Sequence, residues 1–183
     1  MTSADNQQER LINIGWITGF VDGEGCFSVG FIKQPDRIGR KGYKTGYQVW
    51  YEFAVTQGAK SLPSLEGLLK FFKVGNLYLN KRYDNHKGHL YRYTVRRKED
   101  LINVIIPFFR QYPLHTSKQT DFEKFARCME MVTNGDHLTK EGVINIALIC
   151  ETMNRQKPRE SLIGILRDYT SDTQQSKDIV PSA

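Results

Sequence analysis

The sequence predicts an α+β fold, with an antiparallel sheet that carries its helices on one face. Four segments alternate apolar and polar residues as β-strands do, and they span residues 26–33, 47–57, 76–82 and 89–96. Successive strands form two hairpins, and a segment whose apolar residues have helical spacing precedes each hairpin. The order α-β-β-α-β-β-α, followed by further helices, looks like two copies of an α-β-β unit. Because hairpins joined by helices bring neighbouring strands together in opposite directions, this order favours an antiparallel sheet.

The first helix is predicted over residues 9–22, where the apolar residues from Leu11 to Val21 recur at helical spacing. Gly15 and Gly19 lie one turn apart on a neighbouring face. Glycine inside a helix costs about 1 kcal/mol relative to alanine, so two of them require a structural reason. Close approach of another helix is the usual reason. That helix can belong to the same chain or to a second chain, and the spacing alone leaves both open.

The second strand has one apolar and one more polar face. Its expected core side is formed by Tyr47, Val49, Tyr51, Phe53 and Val55. Its opposite side is formed by Gln48, Trp50, Glu52 and Ala54. Since alternate side chains of a strand point to opposite faces, this pattern predicts a sheet with a buried side and a side suited to a polar ligand.

Five more helices follow in the sequence. We predict them over residues 62–73, 98–109, 117–133, 140–153 and 159–168. Thr139 is the expected N-cap of the fourth. Residues 1–8 are expected to be flexible, and residues 169–183 to be disordered, because the tail lacks enough apolar surface to order itself. The predicted domain therefore spans 9–168.

Composition and cysteine spacing exclude several classes of protein. Apolar residues make up 39% and charged residues 25% of the chain, which is ordinary for a globular protein. No run of about 18 apolar residues predicts a membrane span, and the first ten residues do not resemble a signal peptide. We therefore expect an intracellular protein. The cysteines Cys26, Cys128 and Cys150 form no zinc pattern, so they are expected to be free thiols.

Positive charge is concentrated in two segments. The net charge is +6, and residues 33–44 and 81–98 carry most of the clustered lysine and arginine, with tyrosines interleaved in the second segment. Both segments fall in or beside the predicted hairpins. Two solvated loops would give the same pattern, but paired basic and aromatic clusters favour a nucleic-acid surface.

The segment "ITGFVDGEG", residues 17–25, resembles the signature of the LAGLIDADG homing endonucleases. Gly19, Asp22 and Gly25 match that signature outright, and small residues replace its alanines. The resemblance continues in "FAVTQ", "PLHTSKQTDFEKF" and "HLTKEGVINIALICETMN", and it covers roughly residues 11–155. It implies the family's fold, in which a four-stranded sheet forms a DNA-binding saddle, with extra C-terminal helices here.

Only one copy of the signature is found in the sequence, and single-signature members of this family act as homodimers. The resemblance thus implies that two copies of the first helix pack together. The expected interface residues are Gly15, Thr18, Gly19 and Asp22. It further implies an intron-encoded enzyme that cuts both strands of a long pseudo-palindromic DNA site and promotes intron mobility. Its compartment would be an organelle, either mitochondrion or chloroplast, or a prokaryotic cytoplasm.

The resemblance also implies a metal-dependent catalytic site. Glu24 would be both catalytic and a ligand of Mg²⁺ or Mn²⁺, with the main-chain carbonyl of Gly23 as a further metal contact. Gln57 and Lys118 match the family's polar and basic residues near the cleavage site. Each of these three side chains has a simpler interpretation: Glu24 as a loop acid, Gln57 as a strand-end polar residue and Lys118 as a surface lysine. Some relatives carry an arginine at the position of Ser61, and whether the adjacent Lys60 replaces it stays open.

The outer side of the sheet is the expected DNA-reading surface, because the major groove distinguishes all four base pairs. Expected to face the bases are Ser28, Ile32, Gln48, Trp50, Glu52, Asn76, Tyr78, Asn80, Arg82, Arg92, Thr94 and Arg96. Expected to meet phosphates are Lys33, Arg37, Arg40, Lys41, Lys44 and Lys81. Two other functions stay possible from sequence: an RNA maturase that binds intron RNA, and a DNA-binding protein without catalysis.

Overall fold

The computed structural model describes residues 3–34, 45–81, 88–154 and 163–164. Its larger elements are α1 (Ser3–Glu24), β1 (Gly25–Lys33), β2 (Tyr47–Gly58), α2 (Leu62–Phe72), β3 (Asn76–Asn80), β4 (Leu90–Val95), α3 (Lys98–Asp100), α4 (Ile106–Gln111), α5 (Lys118–Asn134) and α6 (Lys140–Glu151). Short 3₁₀ turns cover Ala59–Ser61 and Asp136–Leu138, and a π-helical turn covers Leu101–Ile105. The predicted α+β order is confirmed.

The four strands form one sheet in the order β1-β2-β4-β3. β4 pairs antiparallel with both β2 and β3, so that Tyr93 lies opposite Val55 on one side and Leu77 on the other. Gly75, which precedes β3, has a φ of +86°, and a Cβ there would lie 2.5 Å from the carbonyl oxygen of Thr94. Only glycine satisfies both conditions, which explains why the chain enters the edge strand through this residue.

The first helix is longer than predicted. α1 begins at Ser3, whereas the apolar periodicity predicted a start at residue 9. Residues 3–8 are mostly polar but contain neither glycine nor proline, so nothing in their sequence ends the helix. α1 thus extends into the segment 1–8, whose flexibility stays a prediction, and residues 1–2 lie outside the described part of the chain.

The predicted helix 98–109 is interrupted by the π-helical turn between α3 and α4. Pro107 lies in the first turn of α4, where it cannot donate a backbone hydrogen bond to the preceding turn. In the π-helical turn, the N–H of Ile106 donates to the carbonyl of Leu101, five residues earlier. Leu101 and Ile105 within the turn are fully buried, so the irregular backbone still contributes to the core.

The described chain divides into two compact units. One comprises the residues up to Ser28 and those from Tyr51 to Ala126, and the other those from Val29 to Trp50 and from Arg127 onward. The core of the first unit is aromatic. Phe27 is fully buried, and its ring centroid lies 5.1 Å from that of Phe53 and 5.2 Å from that of Phe122.

The second unit has an aliphatic core. Its buried residues include Val29, Val49, Cys128, Met129, Val132, Val143, Ile146, Ala147 and Cys150. Thr139 caps α6 as predicted, because its hydroxyl accepts a hydrogen bond from the N–H of Gly142 at 3.1 Å.

Of the predicted helix 159–168, only residues 163–164 are described, and both are helical. The expected tail 169–183 lies outside the described residues.

Candidate functional site

The chain passes from α1 to β1 without a loop, since Glu24 ends the helix and Gly25 begins the strand. A Cβ on Gly25 would lie 2.5 Å from Cγ1 of Val21 and 2.7 Å from its carbonyl oxygen. Such contacts are too short for any side chain, so this glycine allows the strand to start directly against the last turn of the helix. We call the segment Asp22–Gly25 the hinge. Close backbone approach explains its second glycine, Gly25.

Glu24 presents a free carboxylate at this hinge. It is exposed, and it makes no hydrogen bond or ion pair with any of the described residues. Gly23 is also exposed, and its carbonyl belongs to the last helical turn, where backbone carbonyls have no intrahelical donor. Carboxylate and carbonyl oxygens are the ligands that Mg²⁺ prefers. Within the described ranges, no group of three or more His, Cys, Asp and Glu side chains lies together.

Asp22 connects the end of α1 to the segment before α5. Its Oδ2 accepts a hydrogen bond from the N–H of His115 at 2.7 Å. Its Oδ1 accepts from the N–H of Thr116 at 3.1 Å and from the Thr116 hydroxyl at 2.6 Å. Burial raises the pKa of Asp22, but these hydrogen bonds together lower it below the ordinary value. The expected interface residue Asp22 thus uses its carboxylate within the chain.

The same connection orients Lys118, the first residue of α5. Its backbone N–H donates to the Thr116 hydroxyl at 3.2 Å, and its Nζ donates to the carbonyl oxygen of Val21 at 3.1 Å. Burial lowers the pKa of Lys118, and nearby acidic groups, Cys26, Asp22 and Glu24 among them, oppose that effect. The ammonium group therefore lies at the end of α1, within the electrostatic field of Glu24.

Gln57 and Lys60 are less closely connected to this hinge than Lys118 is. Gln57 is half-buried near the end of β2, opposite Tyr91 of β4. Among the described residues its side chain makes no hydrogen bond, either to Glu24 or to Lys118. Lys60 is exposed in the 3₁₀ turn that follows β2. The structure therefore brings Lys118 to the last turn of α1, which ends at Glu24, but it does not link Gln57 to either residue.

One face of α1 is apolar and exposed. Leu11 is 58% exposed and Ile12 64% exposed. Apart from the adjacent residues and the backbone of α1 itself, no atom of the described chain lies within 4 Å of a Cβ built on Gly15 or Gly19. Thr18, by contrast, is buried at 9% exposure, and its hydroxyl donates to the carbonyl of Ile14 at 3.0 Å. Packing of another part of the described chain therefore does not explain the two helix glycines.

In the first unit, the outer side of the sheet carries most of the predicted DNA-reading residues. Exposed there are Asn76, Tyr78, Asn80, Lys81 and Arg96, while Arg92 and Ser28 are partly exposed. Glu52 and Thr94 differ from the expectation, because only 1% and 2% of their surfaces are exposed. Strand alternation assigns a residue to a face but does not say what covers it. Glu52 is covered and paired with two arginines, so its carboxylate is not free for a ligand.

The second unit presents a smaller set of predicted contacts. Ile32, Lys33 and Trp50 are exposed, and Trp50 lies over Gly30, where a Cβ would be 2.3 Å from the indole Nε1. Gln48 accepts a hydrogen bond from Nε2 of Gln34 at 3.0 Å. The residue Gln34 was missed from sequence, although its position directly after Lys33 at the strand end was a usable signal. The predicted phosphate contacts Arg37, Arg40, Lys41 and Lys44, and the predicted base contact Arg82, lie outside the described residues.

The sequence and fold of this chain are similar to those of known proteins. A family model described as LAGLIDADG endonuclease matches residues 17–129. "Probable intron-encoded endonuclease 2" of Neurospora crassa is 33% identical over 149 residues, which are 81% of this chain and 28% of that protein. The chain spans about a quarter of the length of three curated relatives that it matches.

Two solved structures show the same similarity in three dimensions. The homing endonuclease I-TnaI is 36% identical with a TM-score of 0.66, and the alignment covers 87% of this chain and 96% of that one. The I-SmaMI LAGLIDADG homing endonuclease bound to cleaved DNA is 30% identical with a TM-score of 0.68, over 85% of this chain and 47% of that one. I-SmaMI has also been crystallised on an uncleaved DNA target in the presence of calcium ions.

Proposed function

The chain belongs to the LAGLIDADG endonuclease family, and from this premise we propose that it is a site-specific homing endonuclease. It hydrolyses phosphodiester bonds in both strands of a long pseudo-palindromic DNA target. By cutting alleles that lack its intron, it promotes the mobility of the intron that encodes it. Relatives named as intron-encoded endonucleases support this function. Its compartment would be the one that holds the intron, an organelle or a prokaryotic cytoplasm.

The observation that carries the proposal is the exposed carboxylate of Glu24 at the end of α1, the helix whose last turn holds the ammonium group of Lys118 through the carbonyl of Val21. The carboxylate of Glu24 and the carbonyl of Gly23 fit the ligand preference of Mg²⁺, with Mn²⁺ as a substitute. When bound, the metal supplies Lewis-acid stabilisation of the phosphate and a more acidic bound water. Lys118 is placed to stabilise negative charge that develops on the phosphate oxygens. Gln57 remains a proposed third catalytic residue.

The site is completed by a second copy of α1, so the active form is a homodimer. The open surface at Gly15 and Gly19, next to exposed Leu11 and Ile12, supports this assembly. Two glycines one turn apart allow helix backbones to approach closely. The two Glu24 carboxylates would then lie on either side of the dimer axis, one for each DNA strand.

The DNA contacts are proposed separately for the two units. In the first unit, the outer sheet side offers Asn76, Tyr78, Asn80, Lys81, Arg92 and Arg96. In the second, it offers Ile32, Lys33, Gln48 and Trp50. The net charge of +6 supports phosphate binding, which makes affinity fall as the salt concentration rises.

Cleavage assays test this function directly. The purified chain is incubated with DNA that spans the intron-insertion junction, in Mg²⁺ or in Ca²⁺, next to Glu24→Gln and the control Glu66→Gln. Glu66 is an exposed acid on α2, so its variant makes the same charge change away from the hinge. We expect cutting only in Mg²⁺ and only by wild type and control, with DNA binding by all three. Normal cleavage by Glu24→Gln would exclude the proposed metal site.

The same preparation distinguishes the other functions. Binding to intron RNA without cleavage of DNA would favour the maturase, and DNA binding without cleavage would favour a non-catalytic protein. Sedimentation of the protein on its target then reports whether two chains are present. A single chain that cuts both strands would overturn the homodimer.

A further inference from the structure

Glu52 is a buried acid on the side of the sheet that is proposed to face DNA. Its Oε1 accepts a hydrogen bond from Nη2 of Arg92, and its Oε2 accepts one from Nε of Arg96 at 2.5 Å. The side chain of Glu52 is 1% exposed, whereas those of Arg92 and Arg96 are 37% and 62% exposed. One covered carboxylate thus holds two guanidinium groups that remain accessible.

The strand register shows how far Arg92 reaches to make this contact. Arg92 lies opposite Thr56, and Thr94 lies opposite Ala54, which is two residues from Glu52. From Thr56 to Glu52 is four residues along β2, or roughly 13 Å at strand spacing. Arg92 therefore extends past the buried pair Ala54 and Thr94, and its Nε is itself buried without a hydrogen-bond partner among the described residues. Glu52 determines the direction of this extended side chain.

Stability alone does not account for the arrangement. A buried ion pair is often matched or exceeded in stability by apolar residues of similar volume, because desolvation offsets the attraction. A free arginine is a long side chain with many rotamers, and ordering it on binding weakens affinity. Ordering Arg92 and Arg96 before binding removes part of that cost. Among the described residues, neither guanidinium has a partner other than Glu52. Apart from the buried Nε of Arg92, their remaining N–H groups are therefore available to a ligand.

We propose that Glu52 is a positioning residue for base recognition, which holds Arg92 and Arg96 in the orientation that reads the DNA. The inference rests on the proposed binding of DNA and goes beyond it, because Glu52 itself makes no DNA contact. Arg96 uses Nε for Glu52 and keeps both terminal nitrogens, the pair that donates to O6 and N7 of guanine. A base-specific contact is therefore assigned to Arg96, whereas Arg92 already uses the terminal Nη2 for Glu52 and is held beside it.

Selection of targets from a randomised DNA library tests the proposal. Wild type, Glu52→Gln and Glu66→Gln are compared in Ca²⁺, and each selected base pair is then changed singly to measure discrimination. Both variants lose one negative charge, so both should bind non-specific DNA as well as wild type or better. Only Glu52→Gln should lose discrimination, by on the order of tenfold, at a few adjacent base pairs. A role limited to folding would instead weaken binding to all sequences alike.

Each outcome separates this inference from the function on which it rests. If wild type shows no sequence preference, both the proposed function and the inference are wrong. If wild type is selective and Glu52→Gln is equally selective, the inference alone is wrong. Thermal unfolding shows whether Glu52→Gln is folded, and Arg96→Ala replaces it if it is not. Arg96→Ala should lose discrimination at a few base pairs, and a uniform loss with a smaller salt dependence would overturn the proposal.

Discussion

Replacing Asp22 with asparagine should lower the free energy of unfolding at neutral pH. In the native chain, the two carboxylate oxygens accept one hydrogen bond from His115 and two from Thr116, at 2.7, 3.1 and 2.6 Å. Asparagine is uncharged and keeps one accepting oxygen, so all three hydrogen bonds lose a charged acceptor and at least one donor loses its acceptor altogether. A hydrogen bond to a charged group contributes about 1.5–3 kcal/mol. Because water reaches this segment and partly replaces the lost acceptor, we expect a loss just below this range, about 1–1.5 kcal/mol.

The effect should depend on pH with a definite sign. Burial raises the pKa of Asp22, but the hydrogen bonds from Thr116 and His115 hold it below the ordinary value. A carboxylate with a lowered pKa stabilises the fold above its unfolded pKa, near ~4, and loses this contribution as the pH falls through the folded pKa. The difference in stability between wild type and Asp22→Asn is therefore complete at pH 7 and shrinks below about pH 4.

Urea unfolding of wild type, Asp22→Asn and Glu66→Gln over this pH range measures the difference. The other carboxylates titrate alike in all three proteins, so the comparison isolates Asp22. Thermal unfolding at pH 7 should show a Tm lowered by roughly 2–6 °C for a chain of this length. Cleavage should slow while DNA affinity is kept, because Thr116 also accepts the backbone N–H of Lys118. A stability difference that is as large at pH 3 as at pH 7 would refute the reasoning.

Three other substitutions have expected results. Gly19→Leu should leave Tm unchanged or raise it, because a Cβ at this position has open space and helix propensity improves by about 0.8 kcal/mol. Sedimentation should nevertheless show loss of the dimer. An intact dimer would contradict the proposed interface. Gly30→Ala places a Cβ 2.3 Å from the indole of Trp50 and should lower the free energy of unfolding by about 1–3 kcal/mol. Displacement of the ring should give a red shift in tryptophan fluorescence. An unchanged spectrum would mean that the ring does not move. Phe27→Ala removes the ring at the centre of the aromatic core and should cost about 3–5 kcal/mol in urea unfolding, whereas a loss below about 1 kcal/mol would show that the core repacks.

The sequence was sufficient for the order of the elements and for the hinge. Apolar periodicity distinguishes helices from strands here, because the strands of both hairpins alternate clearly between apolar and polar residues. The predicted strands end within about two residues of the strands in the structure, because turn residues bound them. The hinge, Asp22–Gly25, is a local feature at the end of the nine-residue segment 17–25. Gly25 is required because the chain here approaches Val21 closely. Val21 is only four residues away in the sequence, so this contact is determined locally.

Only the tertiary structure decided which partners those residues meet. Asp22 binds a segment more than ninety residues away, and Lys118 reaches the carbonyl of Val21 from the start of another helix. Glu52 was assigned to the correct face by strand alternation, but its burial beneath Arg92 and Arg96 follows from the register of β2 and β4. Periodicity reports the direction of each side chain relative to its own backbone. The distances between side chains on different elements are set by packing, which depends on the whole chain at once.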